Sequence, residues 1–231
     1  MGERETGWSV TPPVVPGLAV EGSGARFPVG RIFCVGRNYA DHALEMGADP
    51  VREPPFFFMK QSSALLTDGA ALPYPPRTAS LHHEVELVVA IGTGGSGIAP
   101  ADALDHIFGY AVGIDMTRRD LQDEAKAKRR PWDVAKSFDG AAPVGVIVPG
   151  RTMAGDIGIS LSVDGTVRQT GKLGAMIWSV PEIIAELSTY QALLPGDLIF
   201  TGTPAGVGAV EAGQVMHAEI ETLPSLSVRV A

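Results

Sequence analysis

The chain has 231 residues, 45% of them apolar and 19% charged, with a formal net charge of -8 and a single cysteine. That length buries one sizeable core and leaves little room for two full domains. The negative balance excludes a general attraction to nucleic acid or to anionic membranes, so an anionic ligand must be captured by a local cluster of cations.

Cys34 alone makes no internal disulfide, and in the apolar run Ile32 to Val35 it reads as a buried reduced thiol. The opening MGERETGWSVTPPVVPG lacks the basic-then-apolar order of a secretory leader. No stretch approaches the roughly 20 apolar residues of a membrane span, so a cytoplasmic location is expected. Met1-Gly2 with Thr6 is only a weak match to a myristoylation start. Residues 1–29 are rich in Pro and Gly and read as a lead-in with one short strand near Leu18 to Val20, ahead of a folded domain over 30–231.

Arg31 to Val35 predicts a buried strand that breaks at Gly36. A short helix is expected in RNYADHALEMG, where Tyr39, Ala43 and Met46 share helical spacing and Gly47 supplies a stop. PPFFFMK predicts another strand, and LHHEVELVVAIG is the clearest strand in the sequence. The GTGGSG that follows lacks the Lys-Ser/Thr ending of a nucleotide loop and is expected to be a tight hairpin connection. Ala101 to Ile107 has helical character, GYAVGID is a small-residue strand ending at Asp115, and TRRDLQDEAKAKRR suits a helix or a solvated turn closed by Pro131. ISLSVDGTVRQ predicts a hairpin turning at Asp164-Gly165. VPEIIAELST predicts a helix capped by Ser179 with Pro181 in its first turn, and short strands fill DLIFTGTP and AGQVMHAEIETLPSLSVRVA. Many strands with few helices give an α+β, mostly β chain with a closed or strongly curved sheet.

Glu84 and Glu86 lie two apart on a strand, so both carboxylates share one face while Val85, Leu87 and Val89 take the other. Such a pair is tolerable on a solvated face, but inside a fold it needs a cation, and an all-oxygen donor set favours Mg, Ca or Mn over zinc. Asp115, at the end of an apolar strand, is positioned to supply a third oxygen. His82 and His83 flank the pair, but neighbours on a strand point to opposite faces, and neither is chosen as a ligand. His42 and Glu45 are three apart on the expected helix, where a carboxylate would orient the imidazole as a general base; a surface pair without a role has the same spacing. Arg37, Arg118, Arg119, Gln122 and Lys136 stand at the ends of apolar runs where they can meet an acid, although each alone has the pattern of a solvated side chain. TGTPAGVG reads as a strand and a tight turn whose amides can face a carboxylate or serve only the turn.

Taken together, GRNYADHALEMG, LHHEVELVVAIG, GIDMTRRDLQ, PWDVAKSFD, VRQTGKLGAMIWSVPEII and GDLIFTGTPAGVG resemble the fumarylacetoacetate hydrolase family, in its smaller subgroup of acylpyruvases and fumarylpyruvate hydrolases. The resemblance implies a mixed β-sandwich roll, a homodimer, and Mg2+ or Mn2+ held by Glu84, Glu86 and Asp115, with Ca2+ a further option. It implies that His42 and Glu45 form the water-activating dyad on a lid helix, and that Lys136 and Gln122 lie beside the attacked carbonyl. Arg37 and Arg119 would then lie near the substrate carboxylate, with Tyr39 and Thr203 also substrate-binding. The activity implied is cleavage of a small anionic 2,4-diketo acid, foremost fumarylpyruvate to fumarate and pyruvate in gentisate-type breakdown. GKLGAMIWS departs from many acylpyruvases, which carry a hydroxyl residue where Leu173 or Gly174 stands. Rival readings are decarboxylation of oxaloacetate, isomerisation or hydration of a related keto acid, and a non-catalytic metal-binding protein.

Overall fold

Strands take up 39% and helices 17% of the described residues in the computed structural model, which makes the protein mostly β with a curled sheet. The structure describes residues 9–40, 53–67, 69–153 and 156–231. Its largest sheet is mixed. It runs in the order β4 (Phe56–Lys60), β3 (Ile32–Gly36), β14 (Leu198–Phe200), β7 (Val85–Ile91), β8 (Ile107–Ile114), β10 (Ala142–Val144) and β5 (Leu65–Thr67), with β11 (Val148–Pro149) also on β8. β14 is parallel to β3, and β10 to β5; the other neighbours are antiparallel. A second, antiparallel sheet runs β13 (Thr166–Lys172), β12 (Gly158–Val163), β16 (Val215–Ile220), β17 (Leu226–Arg229). A small sheet joins β15 (Gly208–Val210), β6 (Leu81–His83) and β9 (Thr117–Arg118).

Both faces of the large sheet are buried along its central strands, and the two-residue period sorts its side chains. Phe33, Val35, Leu87, Val89, Val112 and Ile199 enter one core with Leu161, Met216 and Leu226 of the second sheet and with Ile183, Ile184 and Leu187 of a helix. Ile32, Cys34, Val88, Ala90, Ala111, Leu198 and Phe200 enter the other, covered by Leu18, Phe27 and Val29. Residues 17–29 therefore fold against the core, as the hairpin β1 (Gly17–Ala19) and β2 (Arg26–Pro28).

Several local signals act as the sequence predicts. Asp164 and Gly165 both have positive φ (49° and 77°), the backbone of the two-residue turn that matches strand twist, and they join β12 to β13. TRRDLQDEAKAKRR is helical over α1 (Arg119–Ala127), which is followed by the short α2 (Asp133–Lys136). Ser179 precedes α3 (Val180–Tyr190), and Glu182 Oε2 accepts from the Ser179 backbone N–H at 2.9 Å and from its hydroxyl at 2.7 Å.

Three readings need correction. LHHEVELVVAIG is two strands, β6 and β7, interrupted at Glu84 where the chain passes from the small sheet to the large one. The link from β7 to β8 is longer than a tight turn and runs from Gly92 to His106, because Gly95 leaves the hairpin to exchange backbone hydrogen bonds with Leu193. Ala101 to Ile107 yields only a 3-10 turn over Ala103–His106 before β8 begins. The helix expected in RNYADHALEMG lies, beyond its first residues, outside the described residues.

Candidate active site

The register between β7 and β8 assembles the acids. Glu86 pairs with Gly113 and Val85 with Ile114, so Asp115 falls opposite Glu84, whose backbone carbonyl accepts the Asp115 N–H at 2.8 Å. Residues directly opposite on an antiparallel pair share a face, and Glu86 is two residues from Glu84 on that same face. One carboxylate oxygen from each of Glu84, Glu86 and Asp115 lies within 4.8 Å of the others, and all three residues are buried. Gly202, just past β14, donates its N–H to Glu86 Oε2 at 2.6 Å, so the TGTPAGVG turn does present an amide to a carboxylate, and that carboxylate is the protein's own.

Three buried cations surround these acids. Lys136, from the end of α2, donates to Glu84 Oε2 and Asp115 Oδ2 at 2.8 Å each and to Thr117 Oγ1 at 2.6 Å. Burial works against its ammonium, but the attraction of Asp115 and Glu84 outweighs that and raises its pKa. Arg119, opening α1, binds Glu84 Oε1 through Nη2 and Gln122 Oε1 through Nη1 at 2.5 Å. Lys60 ends β4 with its side chain fully buried; it donates to the carbonyls of Met116 (3.1 Å) and Lys136, and its Nζ lies 2.7 Å from Asp115 Oδ1. That contact is an ion pair without hydrogen-bond alignment, and Asp115 Oδ1 accepts no hydrogen bond among the described residues.

The donor set fits a hard divalent cation. It is all oxygen, it is buried, and Asp115 keeps an oxygen that no donor is aligned to. Burial first, then Asp115 and Glu84, push the Glu86 carboxyl well above the ordinary carboxylate range, a penalty that a bound cation would remove.

Above the acids opens a cleft with about 40 Å³ of water-accessible space. Arg37, Glu84, Glu86, Asp115, Arg119, Gln122, Lys136 and Thr203 line it, as do Val35, Gly36, Phe56, Phe58, Lys126 and Trp132. Thus eight of the residues singled out in the sequence meet in one place. Tyr39 is 3% exposed and outside that lining, and its hydroxyl has no hydrogen-bond partner among the described residues. Burial and then Glu86 raise its pKa. His42 and Glu45 lie outside the described residues. Neither histidine beside the acids joins them: His82 Nδ1 accepts from Arg119 Nε at 3.4 Å, and His83 is bonded to Gln169 at 2.8 Å.

Sequence reasoning missed several participants. Phe56, Phe58 and Lys60 pair with Gly36, Cys34 and Ile32, so the alternation of β4 carries all three to the face that holds the acids. Gly36 leaves room for the Phe56 ring, which stands 2.0 Å from where a Cβ would be. Gln169 is fully buried, accepting from the Val85 N–H at 3.1 Å and donating to Thr203 Oγ1 at 2.7 Å and the Pro204 carbonyl at 2.9 Å. It fixes Thr203 relative to the start of β7. The strand predicted over PPFFFMK was the available signal, because alternation along any strand sends Phe56, Phe58 and Lys60 to one face; nothing in the sequence singles out Gln169.

A family model described as "Fumarylacetoacetate (FAA) hydrolase C-terminal" matches residues 31–231. The chain belongs to the fumarylacetoacetate hydrolase family. Within that family it is 46% identical over 179 residues to a fumarylpyruvate hydrolase of Ralstonia sp, covering 77% of this chain and 93% of the relative. It is 44% identical over 201 residues to the mitochondrial oxaloacetate tautomerase FAHD1 of Rattus norvegicus, covering 86% and 90%. The crystal structure of fumarylpyruvate hydrolase from Pseudomonas aeruginosa, in complex with Mn2+ and pyruvate, superposes with a TM-score of 0.93 at 48% identity, over 97% of this chain and 99% of that one. No helix among the described residues is long and apolar enough to cross a membrane.

Proposed function

We propose that the chain is a divalent-metal-dependent hydrolase that splits the carbon-carbon bond of an acylpyruvate, foremost fumarylpyruvate, into pyruvate and a second acid. The observation that carries this reading is the buried triad Glu84, Glu86 and Asp115 on the floor of a cleft walled by cations. The likeness to the two fumarylpyruvate hydrolases supports the substrate.

We infer Mg2+ as the ion, with Mn2+ or Ca2+ able to replace it, held by those three carboxylates. When bound, such an ion supplies positive charge that makes the departing pyruvate enolate a tolerable leaving group. In this reading His42, oriented by Glu45, takes a proton from the water whose oxygen adds to the distal carbonyl carbon. The family likeness supports that pair. Gln122 and Lys136 donate to the carbonyl oxygen as it gains charge. Lys136 uses its three N–H donors on Glu84, Asp115 and Thr117, so it must exchange one of those partners for the substrate. The carbon-carbon bond then breaks, its electron pair passes to the pyruvate fragment, and that fragment takes up a proton. Arg37, Arg119 and Thr203 line the cleft and hold the substrate acid. A homodimer and a cytoplasmic location belong to the same proposal.

The tautomerase likeness at 44% identity favours one second reading, enol-keto interconversion of oxaloacetate, which moves a proton and consumes no water. The test is to follow the loss of ultraviolet absorbance of fumarylpyruvate with purified protein, with product acids quantified, before and after chelation and Mg2+ readdition. Hydrolysis gives pyruvate and fumarate one for one and stops on chelation. Faster oxaloacetate tautomerisation with no new acid from fumarylpyruvate would establish the second reading, and hydrolysis that survives chelation would contradict the metal assignment.

A further inference from the structure

Helix α1 lays Arg119, Gln122 and Lys126 on one stripe, spaced three and seven residues apart, and all three line the cleft. Arg119 binds Glu84 and Gln122 binds Arg119, so that end of the stripe is tied to the acids and Lys126 lies two helical turns from Arg119, towards the mouth. Its ammonium stands 5.5 Å from the centroid of Trp132. The Trp132 ring in turn meets Phe56 edge-on at 5.4 Å and Phe58 at 5.8 Å. On the other side, the Arg37 guanidinium lies 5.7 Å from the Phe56 ring. The cleft thus has an aromatic wall with a cation at each end.

The inner cations are committed. Lys136, Lys60 and the Nη donors of Arg119 are engaged with the acids or with groups that position them. Lys126 meets Asp123 Oδ1 at 3.7 Å, beyond hydrogen-bond length, and that carboxylate is 61% exposed, so the pair is weak and screened. A half-buried ammonium on an apolar wall, near other cations and loosely paired, is well placed to take an incoming anion.

We propose that Lys126 receives the carboxylate at the far end of the substrate, with the planar acyl chain lying along Trp132, Phe56 and Phe58, so that the enzyme selects acylpyruvates ending in a second carboxylate over those ending in a methyl group. This inference rests on the acylpyruvate reading above. Flat conjugated chains pack on aromatic rings without losing the rotational freedom a saturated chain would lose. The direction of the Lys126 pKa agrees: burial, then the Arg119 guanidinium, lower it, and a bound carboxylate would offset both.

The experiment is steady-state kinetics of wild type, Lys126→Met and Lys126→Arg on fumarylpyruvate and on acetylpyruvate, which lacks the second carboxylate. For Lys126→Met the ratio of kcat/KM between fumarylpyruvate and acetylpyruvate is expected to fall by about 10- to 100-fold, the cost of one charge-assisted contact, mostly through KM. Lys126→Arg, which keeps the charge, restores most of that ratio. Equal losses on both substrates, or no loss on either, overturn the assignment while leaving the hydrolase reading intact. A wild-type protein that cleaves neither substrate overturns the hydrolase reading and this inference with it.

Discussion

The two ends of the cleft are built on opposite principles. At the floor, Glu84, Glu86 and Asp115 are packed against Lys60, Lys136 and Arg119, all buried, and every carboxylate has an ion-pair or hydrogen-bond partner, with Asp115 Oδ1 left without an aligned donor. At the mouth, Arg37, Phe56, Lys126 and Trp132 are half-buried or exposed, and their contacts are ring faces and distances beyond 3.5 Å. Charges removed from water must be compensated in place, so the floor is rigid in composition and suits one fixed ion. Exposed charges interact weakly and tolerate change, so the mouth is where substrate choice can vary without cost to the fold.

Substitutions at the two ends can break this contrast. The largest effect is expected at the floor: Glu86→Gln or Asp115→Asn should lower fumarylpyruvate hydrolysis by at least about 10³-fold in a steady-state assay, since each removes charge needed to hold the cation. Lys60→Met comes next. Removing one partner from a buried ion pair costs about 3–5 kcal/mol, and denaturant unfolding should show a loss of that order. A loss below about 1 kcal/mol would mean that Lys60 is not needed to compensate Asp115. At the mouth, Trp132→Ala should raise KM for fumarylpyruvate by about 5- to 10-fold with a smaller change in kcat, because ring contact is made equally in ground and transition states.

The smallest effect is one of pH. Burial, then the Arg119 guanidinium, lower the Lys126 pKa below the usual lysine value of 10.5. Its positive charge is complete below the folded pKa and is lost as pH rises through it. KM for fumarylpyruvate should therefore climb by a few-fold on the alkaline side, beginning below 10.5, with a flatter profile for acetylpyruvate and for Lys126→Met. Parallel profiles for the two substrates would remove Lys126 from substrate choice.

Much of the floor was legible in the sequence because its signals are local. The spacing of Glu84 and Glu86 places two carboxylates on one face, and Asp115 closes an apolar strand, so only the β7–β8 register was needed to join them. The Asp164-Gly165 turn and the Ser179 cap are likewise short-range chemistry. What was not legible depends on order in space. β14, which starts at Leu198, enters between β3, which ends at Gly36, and β7, which ends at Ile91, and no periodicity announces that insertion. Lys60 was passed over because a lysine at a strand end normally reaches water, and only the structure shows its ammonium under Asp115. The break at Glu84 escaped notice because β6 and β7 are both strands and their join carries no glycine or proline.

The most direct measurement of whether the three carboxylates act together is Mn2+ binding to chelator-treated protein, followed by the electron paramagnetic resonance signal of free Mn2+. One ion per chain is expected for the wild type, with binding weakened by orders of magnitude in both Glu86→Gln and Asp115→Asn while the fold, checked by circular dichroism, persists. Folded wild-type protein that binds no Mn2+, or variants that bind it as the wild type does, would contradict a metal centre at this triad.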